Sequence, residues 1–189
     1  QYVNRAKRGI KKLAEEVVKT FLYGDGVANP ARPDGAKFWT PISQVSSQAG
    51  ANLTLDDFDN MISKISGTNK VALMNTLTKQ KLKKLIKDAG SNVVLHSYEE
   101  LGYGIDRYGD VELIDLEDTV IPWTAGETDI FGFSLDGDEG AYLVADEQAP
   151  YLLDARKEGA SYVLPTEWIV TPAFANPKCL GFLEGVKWS

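Results

Sequence analysis

A long amphipathic segment, residues 1–23, constrains the fold more than any other feature of the sequence. Its apolar residues recur with the spacing of one helical face, and charged residues occupy the opposite face. The apolar set is Ile10, Leu13, Ala14, Val17, Val18, Phe21 and Leu22. A helix of this length spans about 35 Å and cannot bury its apolar face against itself. We therefore predict a long helical strut with the rest of the chain packed along one side.

Basic residues are concentrated in this first helix. Residues 1–20 carry six Lys/Arg and two Glu, whereas the remainder carries 14 basic and 25 acidic residues. The net charge of −7 argues against a free nucleic-acid-binding protein. The simplest interpretation of the basic face is a solvated surface on an acidic protein. The alternative is a contact with something anionic, either a neighbouring subunit or a polyanion.

Length, cysteine content and hydropathy restrict the class of protein further. A chain of 189 residues allows one domain or two small ones. The single cysteine, Cys179, excludes an internal disulfide. No apolar run reaches the length of a membrane span and no leader pattern is present, so neither a membrane segment nor a signal peptide is predicted. Because the sequence begins inside a helical pattern and without Met, we expect the natural chain to extend beyond Gln1.

A Gly- and Pro-rich loop and two more helices are predicted after the strut. The Gly24-Asp25-Gly26 stretch lacks the Walker spacing, so it predicts a turn and no phosphate cradle. The loop runs to about residue 50, with three predicted anchors in the core. Those anchors are Phe38, Trp39 and Ile42.

Capping residues and glycines predict where the next two helices begin and end. Thr54, with Asp57 in the capping-box position, predicts an N-cap for a helix that Gly67 terminates. A strand is predicted at 70–75, and Thr78 is predicted to cap a third helix that ends at Gly90. The outer face of this third helix is predicted to be solvated. It carries Lys79, Lys81, Lys83, Lys84 and Lys87.

Short β segments dominate from residue 92 onward. Strands are predicted at 93–96, 110–116, 129–135, 141–144, 161–164, 168–171 and 180–184, with a hairpin loop at 136–140. The order helix, helix, strand, helix and then mostly strands predicts an α+β fold with a long helix and mixed or antiparallel sheets.

Residues able to carry catalysis are few. His96 is the only histidine, which excludes a site with two histidine ligands, and no Gly-x-Ser-x-Gly elbow accompanies it. We interpret His96 as a strand-end residue and Cys179 as a buried thiol. No catalytic residue, cofactor site or metal site is therefore predicted.

Carboxylates are numerous, and two groups of them need an explanation. Asp136, Asp138 and Glu139 resemble the opening of a calcium loop, but Gly140 stands where the third ligand should be. Asp56, Asp57 and Asp59 fall in the first turns of a helix, where they favour the helix dipole. An enzyme alternative stays open, a hydrolase using the carboxylate pair Asp136 and Asp138.

Three stretches of the sequence follow one another in a recognisable order. FLYGDG at 21–26 follows the long helix and leads into a loop. VALMN at 71–75 precedes the basic stretch TKQKLKKL at 78–85, and YGDVELI at 108–114 precedes TDIFGF at 128–133. This order resembles that of the major capsid proteins of tailed bacteriophages, which have the Hong Kong 97 fold that encapsulins share.

The resemblance implies a coat subunit with a spine helix and two domains. Residues 1–50 would form the spine helix and long loop of the peripheral domain, 51–145 the apical domain, and 146–189 the returning strands of the peripheral domain. Family members carry an N-terminal arm and an extended loop ahead of the spine helix, and neither stands ahead of the helix in this sequence. No residue matches the family's subunit-crosslinking chemistry.

The resemblance also implies partners and a location. The subunit would assemble with itself into the pentamers and hexamers of a bacteriophage or prophage shell. It would meet portal, scaffold or decoration proteins, and it would contact the packaged DNA by non-specific charge. Its place would be the virion, after assembly in the cytoplasm of the bacterial host, and no enzymatic step is implied. An encapsulin-like compartment shell is the alternative of the same fold.

Overall fold

The computed structural model describes residues 2–30, 32–90, 94–98, 103–146, 151–152, 156–158, 161–163 and 165–187. The helices are α1 (Tyr2–Tyr23), α2 (Ala36–Trp39), α3 (Leu55–Lys64) and α4 (Thr76–Asp88), with 3-10 helices at Ile42–Gln44 and Pro177–Cys179. The strands are β1 (Val45–Ser47), β2 (Lys70–Asn75), β3 (Val94–Tyr98), β4 (Tyr103–Tyr108), β5 (Val111–Leu116), β6 (Thr128–Ser134), β7 (Ala141–Ala145), β8 (Tyr151–Leu152), β9 (Arg156–Glu158), β10 (Ser161–Val163), β11 (Thr166–Glu167), β12 (Val170–Phe174) and β13 (Leu180–Val186). These elements confirm the predicted α+β class.

The predicted strut is one uninterrupted helix, α1. Its C-terminal end is the part held most firmly by the rest of the chain. Leu22 is fully buried, and the Phe21 ring lies 5.3 Å from the rings of both Phe133 and Phe174. The apolar stripe therefore packs on the fold at one end of the helix.

A mixed seven-stranded sheet forms the centre of the molecule, with the order β1-β13-β6-β2-β5-β4-β3. The β1–β13 and β2–β5 pairs are parallel, and the other pairs are antiparallel. β13, from the end of the chain, lies between β1 and β6, so strands from all three predicted segments join one sheet. Three two-stranded ribbons complete the β structure, namely β7–β12, β8–β11 and β9–β10.

Each face of the sheet carries its own apolar core, because successive strand side chains point to opposite faces. In β6, Ile130 belongs to the core beneath α3 and α4, where it meets Phe58 and Leu82. Phe131 and Phe133 point the other way, into a second core that includes Leu22 of α1 and Phe182 of β13. The sheet thus separates α3 and α4 from α1.

The N-terminal boundaries of the two middle helices were predicted with unequal success. Thr54 does cap α3, because its Oγ1 accepts a hydrogen bond from the Asp57 amide. The prediction that Thr78 caps α4 is wrong. The cap is Asn75, whose Oδ1 accepts from the Leu77 amide at 2.9 Å, and Thr78 is fully buried inside the helix. Asn and Thr are both good N-caps, so the sequence alone did not distinguish Asn75 from Thr78 as the start of α4.

The predicted hairpin at 136–140 is also wrong. β6 pairs with β13 and β2 in the central sheet, whereas β7 pairs with β12 in a separate ribbon. The segment between them therefore carries the chain from one sheet to another. A turn-rich sequence between two strands specifies a change of direction, and partner choice depends on distant residues.

Strand predictions elsewhere differ from the structure in position or number. The strand predicted at 168–171 lies at Val170–Phe174. It pairs with β7 alone, so it is an edge strand, the position in which a strand can contain proline. Strands β1, β4, β8, β9 and β11 were not predicted. Residues 93 and 164, at the ends of two predicted strands, lie outside the described residues.

The loop after α1 is held differently from the prediction. Phe38, Trp39 and Ile42 are 55, 52 and 93% exposed, so they do not anchor it in the core. Ala36 is buried instead, and Thr40 Oγ1 donates a 2.7 Å hydrogen bond to its carbonyl. The three apolar side chains are therefore left on the surface.

Candidate functional site

Cys179 lies in the core, and His96 lies within a strand and not at its end as predicted. Cys179 is fully buried at the junction of the second 3-10 helix and β13, and burial raises the pKa of its thiol. A protonated, inaccessible thiol is a poor nucleophile. His96 lies in β3, opposite Ile105 of β4. Among the described residues, no three His, Cys, Asp or Glu side chains are placed to hold a metal ion.

The Asp136 carboxylate ties two loops together. It accepts hydrogen bonds from the Thr68 amide, the Thr68 hydroxyl, the Asn69 amide and Ser134 Oγ, at 2.5 to 3.3 Å. These bonds, led by that from the Thr68 amide, hold the pKa of Asp136 below its ordinary value. Asp138, its partner in the hydrolase alternative, is exposed. Because the donors to Asp136 belong to the protein itself, its geometry supports a structural role.

The Gly24-Asp25-Gly26 stretch is a turn, as predicted. The Asp25 carboxylate accepts from the amides of Val27 and Ala28, and the Asp34 carboxylate accepts from the Gly26 amide at 2.7 Å. A phosphate cradle needs such amides free to face a ligand. Here the protein's own carboxylates occupy them.

The lysines of α4 do not form one solvated face, which corrects that prediction. Lys79 and Lys83 both contact the Asp106 carboxylate of β4, at 3.1 and 3.0 Å, and Lys79 also contacts Asp115 of β5 at 2.9 Å. Burial opposes the charge of Asp106, but hydrogen bonds from the two lysines outweigh it and lower its pKa. Of this set, only Lys84 and Lys87 are exposed; the other three lysines are half-buried.

The apolar stripe of α1 is only partly covered. Leu13 and Val17 are half-buried, and a groove of about 220 Å³ separates them from the β7–β12 ribbon. Leu143 and Trp168 line the opposite side of this groove. This part of the apolar stripe is therefore left as partly exposed apolar surface, a feature that often marks a binding site.

Two further apolar surfaces stand on the exterior. We call Phe38, Trp39 and Ile42 the aromatic corner; these residues lie on α2 and the following 3-10 helix. The other surface lies on the β7–β12 ribbon, where Tyr142 and Val144 are 45 and 49% exposed. Aromatic residues are enriched at protein interfaces, and contiguous exposed apolar patches commonly mark them.

The basic face of α1 is partly neutralised within the chain. Lys11 lies 2.8 Å from Glu117 and 3.5 Å from Glu15, and Arg32 from the following loop lies 3.6 Å from Glu16. Lys12 is exposed and forms no ion pair with another described residue. No helix in the described part of the chain is long and apolar enough to cross a bilayer.

Sequence comparison alone identifies no relative. No family model matches the chain, and no curated protein matches it.

Comparison with solved structures does find similar folds. The SrpI encapsulin complex of Synechococcus elongatus PCC 7942 matches 99% of this chain with a TM-score of 0.74 and 14% identity. The capsid of an empty GTA particle matches 98% with a TM-score of 0.66 and 16% identity, and that of a native GTA particle 98% with 0.64 and 17%. This chain has the Hong Kong 97 fold. The resemblance drawn from the sequence motifs is thus confirmed for the fold.

The chain spans about two thirds of the length of the proteins it matches. It covers 66% of the encapsulin chain, and 66 and 65% of the two GTA capsid chains.

Sequence reasoning missed the exposure of the aromatic corner. It treated Phe38, Trp39 and Ile42 as core residues because large apolar side chains are usually buried. A signal was available: all three stand inside the long loop predicted to run to about residue 50, where a connecting segment cannot bury every side chain. Exposed apolar surfaces of this kind commonly mark sites of contact with a partner.

Proposed function

We propose that this chain is a structural subunit of a bacteriophage or prophage capsid shell, which assembles with copies of itself and encloses DNA. The observation that carries the proposal is the fold match over nearly the whole chain with shell proteins, at a TM-score of up to 0.74. The buried thiol and the loop-bound Asp136 carboxylate fit a protein whose role is structural, without an enzymatic step.

The proposed mechanism is association through many modest contacts. The half-covered stripe of α1, the aromatic corner and the outer face of the β7–β12 ribbon supply apolar area on separate parts of the surface. In a closed symmetric assembly each such contact recurs in every subunit, so weak pairwise affinities combine into a stable shell. A single deep ligand pocket is not required.

The proposal includes an arrangement of the chain within the shell. Residues 1–50 and 146–189 would form the peripheral domain and residues 51–145 the apical domain, with apical domains meeting at the centre of each ring. The subunit would reside in the virion after assembly in the cytoplasm of the host. Portal, scaffold or decoration proteins would be its further partners, and packaged DNA would meet it by non-specific charge contact.

An encapsulin-like compartment shell is the second candidate, because an encapsulin complex is among the matched structures, with a TM-score of 0.74. The two candidates differ in content. Particles purified from a host that carries the complete gene neighbourhood should hold nuclease-protected DNA in the capsid case, and protein cargo in the compartment case. The ratio of absorbance at 260 and 280 nm, with mass spectrometry of the contents, separates them.

Assembly itself is tested by concentrating the purified full-length protein and measuring particle mass by light scattering and negative-stain microscopy. Closed particles or rings of defined mass are expected. A protein that stays monomeric under every condition of salt and concentration contradicts the proposed function.

The aromatic corner offers a variant for the same assay. Ile42 is 93% exposed, so Ile42→Ser should leave monomer stability unchanged. If the corner is an assembly contact, losing a buried Ile side chain should raise the concentration for half-assembly by about tenfold or more. Ile42→Val, which keeps the apolar surface, is the matched control and should assemble normally. Equal assembly by both variants removes the corner from the interface.

A further inference from the structure

The helices α3 and α4 lie next to each other on the same face of the central sheet. α3 packs on β13 and β1, at one edge, whereas α4 packs on β2 and β5, nearer the middle. Each helix buries one face against the sheet: Phe58 and Met61 for α3, Leu82 and Ile86 for α4. Their outer faces are left to solvent, side by side in one layer of the molecule.

The outer face of α3 is acidic. Asp56 and Asp59 are both exposed there, and the only basic residue of the helix, Lys64, stands in its last turn. Asp56 forms no ion pair with another described residue. Among the bonds described, Asp59 accepts only a 3.3 Å hydrogen bond from the Tyr108 hydroxyl. Neither carboxylate is therefore paired with a cation of the described residues.

The outer face of α4 is basic. Lys84 and Lys87 are exposed and form no ion pair with another described residue, in contrast to Lys79 and Lys83 on the side of the helix that contacts Asp106. Leu77, in the first turn, is 42% exposed and adds apolar surface to the same outer face.

We propose that the outer face of α4 docks against the outer face of α3 in a second copy of this chain. The inference rests on the proposed function, assembly of copies, and adds which two surfaces meet. Because the two outer faces lie side by side and point away from the same sheet, two copies related by a twofold axis can make both α3–α4 pairings at once.

Charge complementarity selects a second copy as the partner. A copy offers Lys84 and Lys87 an acidic helix of similar length, and it offers Asp56 and Asp59 a basic one. Opposite charges steer encounter and fix register, while juxtaposition of like faces is penalised. An exposed ion pair contributes little alone, so the contact depends on Leu77 becoming covered and on its repetition in every subunit of the assembly.

Charge reversal on the full-length protein tests the pairing. One variant carries Lys84→Glu and Lys87→Glu, a second carries Asp56→Lys and Asp59→Lys, and a third carries all four changes. Each double variant should raise the concentration for half-assembly by about tenfold, whereas the fourfold variant, which exchanges the signs of both faces, should return to within about threefold of wild type. Glu139→Lys reverses an exposed charge outside both helices and is the matched control.

Thermal unfolding of each variant confirms that the monomer is folded, and the remaining outcomes are decisive. If the double variants assemble like wild type, or if the fourfold variant is no better than either double, the α3–α4 pairing is wrong while the shell function stands. Normal assembly with reduced DNA content in Lys84→Glu/Lys87→Glu assigns α4 to a polyanion and also overturns the pairing. A wild-type protein that never assembles overturns both the pairing and the proposed function.

Discussion

At the scale of single residues, Asn75 joins three parts of the fold through one side-chain amide. It is fully buried at the end of β2, and its Oδ1 caps α4 by accepting from the Leu77 amide. Its Nδ2 donates to the Ile121 carbonyl at 3.1 Å and to the Asp118 carboxylate at 2.5 Å. A strand end, a helix start and the loop before β6 are therefore held by one residue.

Replacing this residue should be costly. Asn75→Ala removes the cap and leaves buried polar partners unsatisfied, so the free energy of unfolding should fall by about 2–3 kcal/mol. Thr78→Val is the informative comparison, because the Thr78 hydroxyl is buried without a hydrogen-bond partner among the described residues. That change should be neutral or stabilising by up to about 1 kcal/mol. Urea unfolding measures both changes. A larger loss of unfolding free energy in Thr78→Val than in Asn75→Ala would mean that Thr78 is the N-cap of α4.

A second residue-scale prediction concerns Asp106, which is 6% exposed and paired with Lys79 and Lys83. Its pKa is lower in the folded than in the unfolded protein, so its contribution to stability is present above the unfolded pKa, about 3.9. That contribution is lost as the pH falls through the lower, folded pKa. Asp106→Asn should therefore cost about 2 kcal/mol at pH 7.

The cost of Asp106→Asn should shrink as the pH drops below about 4, because the wild-type carboxylate then also loses its charge. Urea unfolding at a series of pH values measures this. Asp110→Asn, in the exposed turn between β4 and β5, is the control and should show no such convergence. A difference between wild type and Asp106→Asn that stays constant with pH would mean that charge plays no part.

At the scale of elements, the approach of α3 to the sheet depends on two glycines. Gly132 of β6 and Gly181 of β13 are register partners beneath the end of the helix. A Cβ at Gly132 would lie 2.5 Å from Ile65 Cδ1, and one at Gly181 would lie 2.9 Å from the same atom. Ile65 is 3% exposed, so it has little space to move away.

Adding that Cβ should separate the two layers. Gly132→Ala should lower the free energy of unfolding by about 1–3 kcal/mol through overpacking. Ile65→Val deletes the clashing methyl group, so the double variant should cost less than the sum of the single changes. Gly137→Ala, where an added Cβ meets nothing within 4 Å, is the control. If thermal unfolding shows that the double variant loses as much stability as the two single variants together, the added Cβ does not clash with Ile65.

At the scale of the whole molecule, the long helix α1 concentrates basic charge on an otherwise acidic chain. The structure shows which of its lysines remain available. Lys11 is committed to Glu117 and Glu15, so reversing it would disturb the monomer. Lys12 is exposed and Lys19 half-buried, and neither forms an ion pair with another described residue.

Reversing those two lysines tests whether the basic face meets an anionic partner. Lys12→Glu with Lys19→Glu should reduce either particle yield or packaged DNA severalfold, because phosphate contacts and subunit contacts both depend on opposite charge. Lys12→Gln with Lys19→Gln separates loss of attraction from repulsion and should show an intermediate effect. Particle yield and DNA content equal to wild type in both variants would leave the basic face as a solvated surface.

The sequence by itself determined the features that depend on neighbours in the chain. The spacing of Leu13, Val17 and Phe21 specified α1, the Thr54–Asp57 capping pair specified the start of α3, and the apolar run at 71–74 specified β2. Helical periodicity and capping are short-range effects, so they can be read without knowing the fold. The order of the three motifs also indicated the Hong Kong 97 fold.

Only the tertiary structure decided which elements meet. It placed β7 against β12 instead of β6, inserted β13 between β1 and β6, exposed Trp39 and turned Lys79 toward Asp106. Each of these outcomes depends on residues far apart in the chain, whose contacts no local pattern encodes. Strand partners and surface exposure follow from the packing of the whole molecule, because a strand or helix side chain becomes buried only when another element covers it.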